Sequence, residues 1–341
     1  MQFTTTTTTP TNDRNEQDLA KRASLWMSDT VVPFSYPWPD TQEQREEENQ
    51  VLDRMVPGGT TDAVLLGEST HGTLEFYSLR RELTRQLVRD HGFRAVVFEA
   101  EWPDMYGMNQ HLTCSNSPYP SVSAALAQHV HGHGKYMWQN AETVTLLEWI
   151  RLFNASQGFR PESMVYVFGM DCQQIYRSLH ALYTTLAELD SSMFNYVKSR
   201  LSFFHGYQEN ENNYARQTVN GIGSEQIPEI LQTILSEFQW KYLEQLKAQL
   251  PSNGLDCLAL LNVEQNLEVL VNAEEYFRKK ILEPAGSNVS WNTRDQVSFL
   301  ELGINQRVAC GSCTDDFVLS FSLFFLFHPF SAHGAHSGSD P

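Results

Sequence analysis

Three short apolar runs, each closing on an acid, constrain this chain more than any other feature. Ala63-Val64-Leu65-Leu66 stops at Gly67 and is followed by Glu68, Ser69, Thr70 and His71; Arg94–Glu99 reads RAVVFE; Ser163–Asp171 reads SMVYVFGMD. Runs this short have no room for helical periodicity and read as buried strands. Between the first two, Leu74–Asp90 carries Phe76, Leu79, Leu83 and Leu87 at spacings of three, four and four, the stripe of an amphipathic helix. His91-Gly92 ends that helix. Strand, helix, strand over this distance is a βαβ unit with parallel strands. Parallel strands bring their C-terminal ends to one edge of the sheet, where open α/β sheets place their chemistry. Glu68, Glu99 and Asp171 are therefore expected on one crevice, together with His71.

Three carboxylates in one crevice cannot all stay ionised cheaply unless a cation or a proton is shared among them. A proton shared between a carboxylate and His71 makes an acid/base unit that works near neutral pH. Arg80, nine residues beyond His71 on the predicted helix, supplies compensating positive charge.

Several other chemistries are weakly supported or absent. No P-loop pattern occurs and no GxGxxG follows a strand, so nucleotide cradling is not indicated. Gly67-Glu68-Ser69-Thr70-His71 has histidine where a nucleophile elbow needs its last glycine. Cys310-Gly311-Ser312-Cys313 is a CxxC without a second pair, a poor zinc signal, and no metal site or cofactor is assigned. His129, His131 and His133 alternate in HVHGHG, which reads as a Gly-rich surface loop before it reads as a metal site. With 24 basic against 41 acidic residues and a net charge of −17, neither nucleic acid nor an anionic membrane is an expected partner. Five scattered cysteines do not form a disulfide framework and fit a reducing, cytoplasmic setting. What remains is proton transfer: an imidazole with carboxylate partners, activating water on a small-molecule substrate.

Residues 1–15 form a Thr-rich tail without a secretory signal. Residues 16–60 read as an irregular entry with one or two short helices. Residues 103–160 are mostly helical, with a loop at CSNSPYP, 114–120. From about 174 to 283 the pattern is helical, with Leu260, Val263, Leu267 and Leu270 in a packing stripe. The expected fold class is three-layer α/β/α, with a mainly parallel sheet and a large helical lobe.

GESTHG at 67–72, Arg80, VVFEA at 96–100, MWQNAE at 137–142, LLEWIRLFN at 146–154, VFGMDCQ at 167–173 and SWNTRD at 290–295 occur in that order. With these motifs the chain resembles the erythromycin esterase family, including relatives linked to succinoglycan biosynthesis, from about residue 45 to 296. The resemblance implies an α/β/α fold and hydrolysis of a macrolide lactone or a similar ester. It implies His71 as the base that activates water without an acyl-enzyme, Glu68 and Glu99 as the acids around it, and Arg80 in the same cleft. It also implies that Trp138, Asn140, Asp171, Trp291 and Arg294 shape the cleft or contact substrate.

After Gln296 the resemblance stops. Family members continue into a further strand and a His-Asn-x-His element of the active site, whereas His328, His333 and His336 here lack that pattern. The sheet is accordingly expected to be incomplete at its C-terminal end, and residues 297–341 to be a poorly ordered tail outside the 16–296 domain. Val297-Ser298 is compatible with a splice-donor codon pair, so these residues are expected to translate a retained intron or a mis-called exon. Two alternatives stand beside the hydrolase: an inactive member lacking the histidine element, and a metal- or haem-binding module.

Overall fold

Ala63–Gly67 forms β1, and Glu68 to Thr73 turn the chain into helix α1, Leu74–Asp90. Both elements have the expected boundaries. The buried face of α1 is Tyr77, Arg80, Leu83, Thr84, Leu87 and Val88, so Phe76 and Leu79 are only half-buried. Strand β2 is Ala95–Glu101, two residues longer at its end than the apolar run suggests. Pro103 explains the extension: it stands in the first turn of α2, Trp102–Leu112, and leaves Glu101 as an extended N-cap. Helices α3 (Val122–His129), α4 (Gly132–Trp138) and α5 (Ala141–Ser156) lead to β3, Tyr166–Asp171. A lobe follows, made of α6 (Ile175–Leu189), α7 (Ser191–Arg200), α8 (Glu211–Val219), α9 (Ile227–Phe238) and the 29-residue α10 (Gly254–Leu282).

The computed structural model describes residues 52–53, 56, 61, 63–207, 209–219, 226–240, 254–282 and 323–327. The chain divides into two units, Met1–Met55 and Val56–Pro341, and the architecture here is that of the second. The expected tail at 1–15, nearly all of the irregular entry, and Trp291 and Arg294 lie outside the described residues.

One strand of the sheet comes from beyond Gln296. The sheet order is β1-β4-β2-β3, where β4 is Leu323–Phe327 from the segment read as a poorly ordered tail. β4 runs antiparallel to β1, with Ala63 opposite Phe327 and Gly67 opposite Leu323, and antiparallel to β2, with Ala95 opposite Phe327. β2 and β3 are parallel, from Ala95 opposite Tyr166 to Glu101 opposite Asp171. Thus β1, β2 and β3 share one direction, but β1 and β2 are not neighbours. The crossover between them holds a gap of one strand, and β4 fills it.

Helices cover both faces of the sheet. On one side Ala95, Val97, Phe168 and Met170 pack with Leu258, Leu261 and Val269 of α10. On the other, Phe98 meets the Trp138 ring of α4 edge to face at 5.0 Å. The lobe has its own core, in which Leu179, Leu182 and Leu186 of α6 meet Leu231, Ile234 and Phe238 of α9 and Leu260, Val263, Leu267 and Leu270 of α10. The expected stripe is therefore a packing surface.

Beyond β3, two asparagines take the place of a neighbouring strand. Asn109 donates to the Val167 carbonyl at 2.7 Å and accepts the Val167 N–H at 2.9 Å. Asn154 does the same at Val165, at 2.9 and 2.7 Å. Buried backbone groups must find partners, and side-chain amides carry both the donor and the acceptor that a strand edge presents.

Candidate active site

Glu68 is the first residue past β1, and its carboxylate, 4% exposed, joins two partners. Oε1 lies 2.5 Å from Nδ1 of His71, and Oε2 accepts a hydrogen bond from Nη2 of Arg80. The turn brings residues three apart face to face, with Gly72 in the left-handed region at φ +78°. Thr70 and Thr73 hydroxyls, 2.5 Å apart, close the turn before α1 begins. An Nδ1–H donated to Glu68 leaves the imidazole lone pair on Nε2. The His71 side chain is 40% exposed, while those of Glu68 and Arg80 are buried.

Arg80 sits on an aromatic cradle, its guanidinium carbon 4.7 Å from the Tyr77 ring centre and 5.4 Å from that of Trp138. Trp138 is held in turn by its indole N–H, which donates to the Glu99 carbonyl at 2.8 Å. Burial, and then the negative charge of Glu68, push the Tyr77 phenol above its ordinary pKa. A buried cation between an acid and two π faces is fixed both by charge and by ring geometry.

The three expected acids start from different strands of the sheet. β4 puts two interstrand steps, about 10 Å, between β1 and β2. Glu99 lies within β2, not at its end, and is half-buried. Asp171 joins Glu101, its partner in register. Glu101 accepts the backbone N–H groups of Gln173 and Gln174, each at 3.2 Å, and Asp171 accepts the Gln173 amide at 3.0 Å. Burial, followed by the charges of Asp171 and Asp104, drives the Glu101 carboxyl well above the usual carboxylate range. Asp104 is fully buried, pairs with Arg177, and accepts the His131 backbone N–H at 2.9 Å. Burial raises its pKa as well. Sequence reading missed Glu101 and Asp104; Pro103, which marks a helix start after Glu101, was the available signal.

Two residues expected at the substrate are engaged within the protein. Trp138 is 2% exposed and packs on Arg80, so it shapes the site from behind. Asn140 caps α5, accepting the Thr143 N–H at 2.9 Å and donating to the Met137 carbonyl at 2.8 Å. In the HVHGHG stretch, the His131 ring bonds the His129 carbonyl at 2.7 Å, and His129 packs its ring onto Gly107. Among the described residues no group of three or more His, Cys, Asp or Glu converges as a metal site. A cavity of about 250 Å³, lined by Tyr106, Asn109, Thr113, Cys114 and Leu258 among others, contains none of the strand-end residues.

A model of the erythromycin esterase family matches residues 88–304. The chain belongs to the erythromycin esterase family. The matched span holds Glu99, Trp138, Asn140, Asp171, Trp291 and Arg294, and it begins inside α1, so Glu68, His71 and Arg80 precede it. Three solved structures share the fold. A protein from Bacillus cereus has 17% identity and a TM-score of 0.60, covering 84% of this chain and 63% of that one. A succinoglycan biosynthesis protein has 13% identity and a TM-score of 0.54, covering 85% and 64%. The erythromycin esterase EreC, a histidine-to-asparagine mutant in its open conformation, has 17% identity and a TM-score of 0.53, covering 77% and 60%. This family member spans less than two thirds of the length of each. No described helix of it is long and apolar enough to cross a membrane.

Proposed function

We propose that this chain is an ester hydrolase in which His71 activates water directly. The observation that carries the reading is the single buried carboxylate of Glu68, which bridges an exposed imidazole and a buried guanidinium. Nε2 of His71 takes a proton from water as the oxygen attacks the ester carbonyl, and Glu68 stabilises the imidazolium that forms; the tetrahedral intermediate then breaks its bond to the alkoxide, which leaves with the proton returned from Nε2. Arg80 lies behind Glu68 and balances its charge. Its burial supports the charge-balancing role over contact with the developing oxyanion. Glu99 contributes through its carbonyl, which holds the Trp138 wall of the cradle. Family membership supports the hydrolase class, and a macrolide lactone or a related ester is the proposed substrate. No acyl-enzyme forms, because the nucleophile is water.

The test is His71→Ala with a p-nitrophenyl ester and a macrocyclic lactone. We expect the rate to fall by about 10²–10⁴-fold, with little change in the thermal melt because Glu68 keeps its bond to Arg80. Turnover equal to the parent's sinks the mechanism. A well-folded parent that turns over neither substrate selects the inactive-member reading.

A further inference from the structure

Resting on the hydrolase reading, we propose that Tyr136, together with Leu74, sets substrate specificity by forming an apolar rim on the approach to His71. Tyr136 is 68% exposed and Leu74 57% exposed, although both are large apolar side chains. They come from different elements. Leu74 opens α1, three residues after His71. Tyr136 lies on α4, and a Cβ built on Gly72 would stand 3.5 Å from its hydroxyl, so the phenol reaches over the residue next to His71. Scattered surface apolar residues are ordinary, but these two belong to one turn, Tyr136 reaching Gly72 beside His71 and Leu74 following His71 by three residues.

The short helix α4 makes the arrangement rigid. Met137 and Trp138 are both 2% exposed, and Trp138 is pinned on Arg80 and on the Glu99 carbonyl. Two residues back, Tyr136 projects outward over the turn. A tyrosine has few rotatable bonds and a large apolar face, so it grips a hydrocarbon group at little entropic cost. The chemistry that fits is an ester with an apolar substituent of several carbons. Its carbonyl would sit at His71 and its hydrocarbon part against the Tyr136 ring and Leu74.

Two measurements on the full chain test this, with Tyr136→Phe and Tyr136→Ala and with thermal melts as the fold control. The first is calorimetric binding of the unreactive amides N-(4-nitrophenyl)hexanamide and N-(4-nitrophenyl)acetamide. The parent should prefer the hexanamide by about tenfold, the gain from burying roughly two methylenes. Tyr136→Phe keeps the preference and Tyr136→Ala removes it. The second is the ratio of kcat/KM for p-nitrophenyl hexanoate over the acetate, which should fall about tenfold in Tyr136→Ala, through KM. A parent without chain-length preference overturns the rim, as does an alanine variant that keeps it. If the amides show the preference but neither ester turns over, the hydrolase reading fails and the rim stands as a binding surface. If both esters turn over without preference, the rim fails and the hydrolase stands.

Discussion

Glu68 is the residue on which the proposed chemistry turns, because it serves two cations with different jobs. Its bond to Arg80 is buried on both sides, and removing one member of such a pair leaves an uncompensated charge. Glu68→Gln is expected to cost about 3 kcal/mol in urea unfolding, at the low end for a buried pair, because the Tyr77 and Trp138 faces still support Arg80. Activity should fall about a hundredfold as His71 loses its orienting carboxylate, and wild-type kinetics in this variant would remove Glu68 from the mechanism. A second residue titrates for structural reasons. Burial, reinforced by Arg177 and His131, pushes the His129 pKa down to about 4. Its folded value lies below the ordinary value of 6.5, so the unfolded chain binds a proton first as pH falls. His129 therefore subtracts stability between pH 6.5 and about 4, and His129→Gln should flatten the melting temperature over that window. Equal slopes in parent and variant would show that other groups govern acid sensitivity.

At the scale of elements, the edge of β3 is the most exacting piece of construction. Asn154 is fully buried and satisfies both backbone groups of Val165 as well as the Leu112 carbonyl, which it reaches at 3.0 Å. Asn154→Ala strands a donor and two acceptors, and chemical denaturation should show a loss of about 3 kcal/mol, a sum of modest unmade bonds. A loss under about 1 kcal/mol would mean that water reaches this edge. Nothing in the helical pattern of Ala141–Ser156 distinguishes Asn154 from a surface polar residue, because its partners are eleven and forty-two positions away. The close approach at Gly169 was equally hidden. A Cβ there would collide with the Ala100 and Glu101 carbonyl oxygens, and this crowding sits where the β2–β3 register becomes irregular. By contrast β1, α1 and the turn between them were legible to the residue, since a short apolar run, a glycine and a 3.6-residue stripe are local signals.

At the scale of the whole molecule, β4 decides how the candidate site relates to the rest of the sheet. It is the sole described partner of β1, and β1 carries Glu68 at its end. Ending the chain before Leu323 should strip hydrogen-exchange protection from Ala63–Gly67, while the α6–α10 lobe, with its own core, keeps its protection. Unchanged protection of β1 would show that β4 does not hold it. The division between what was readable and what was not follows from the range of the forces involved. Alternation, stripes and turn residues act over a few positions, and they announced three strands, the lobe and the Glu68–His71 pair three residues apart. Strand order, register and the packing of α4 are set by contacts between distant segments that leave no local period. Those contacts paired Asp171 with Glu101, placed β4 between β1 and β2, and laid Trp138 beneath Arg80.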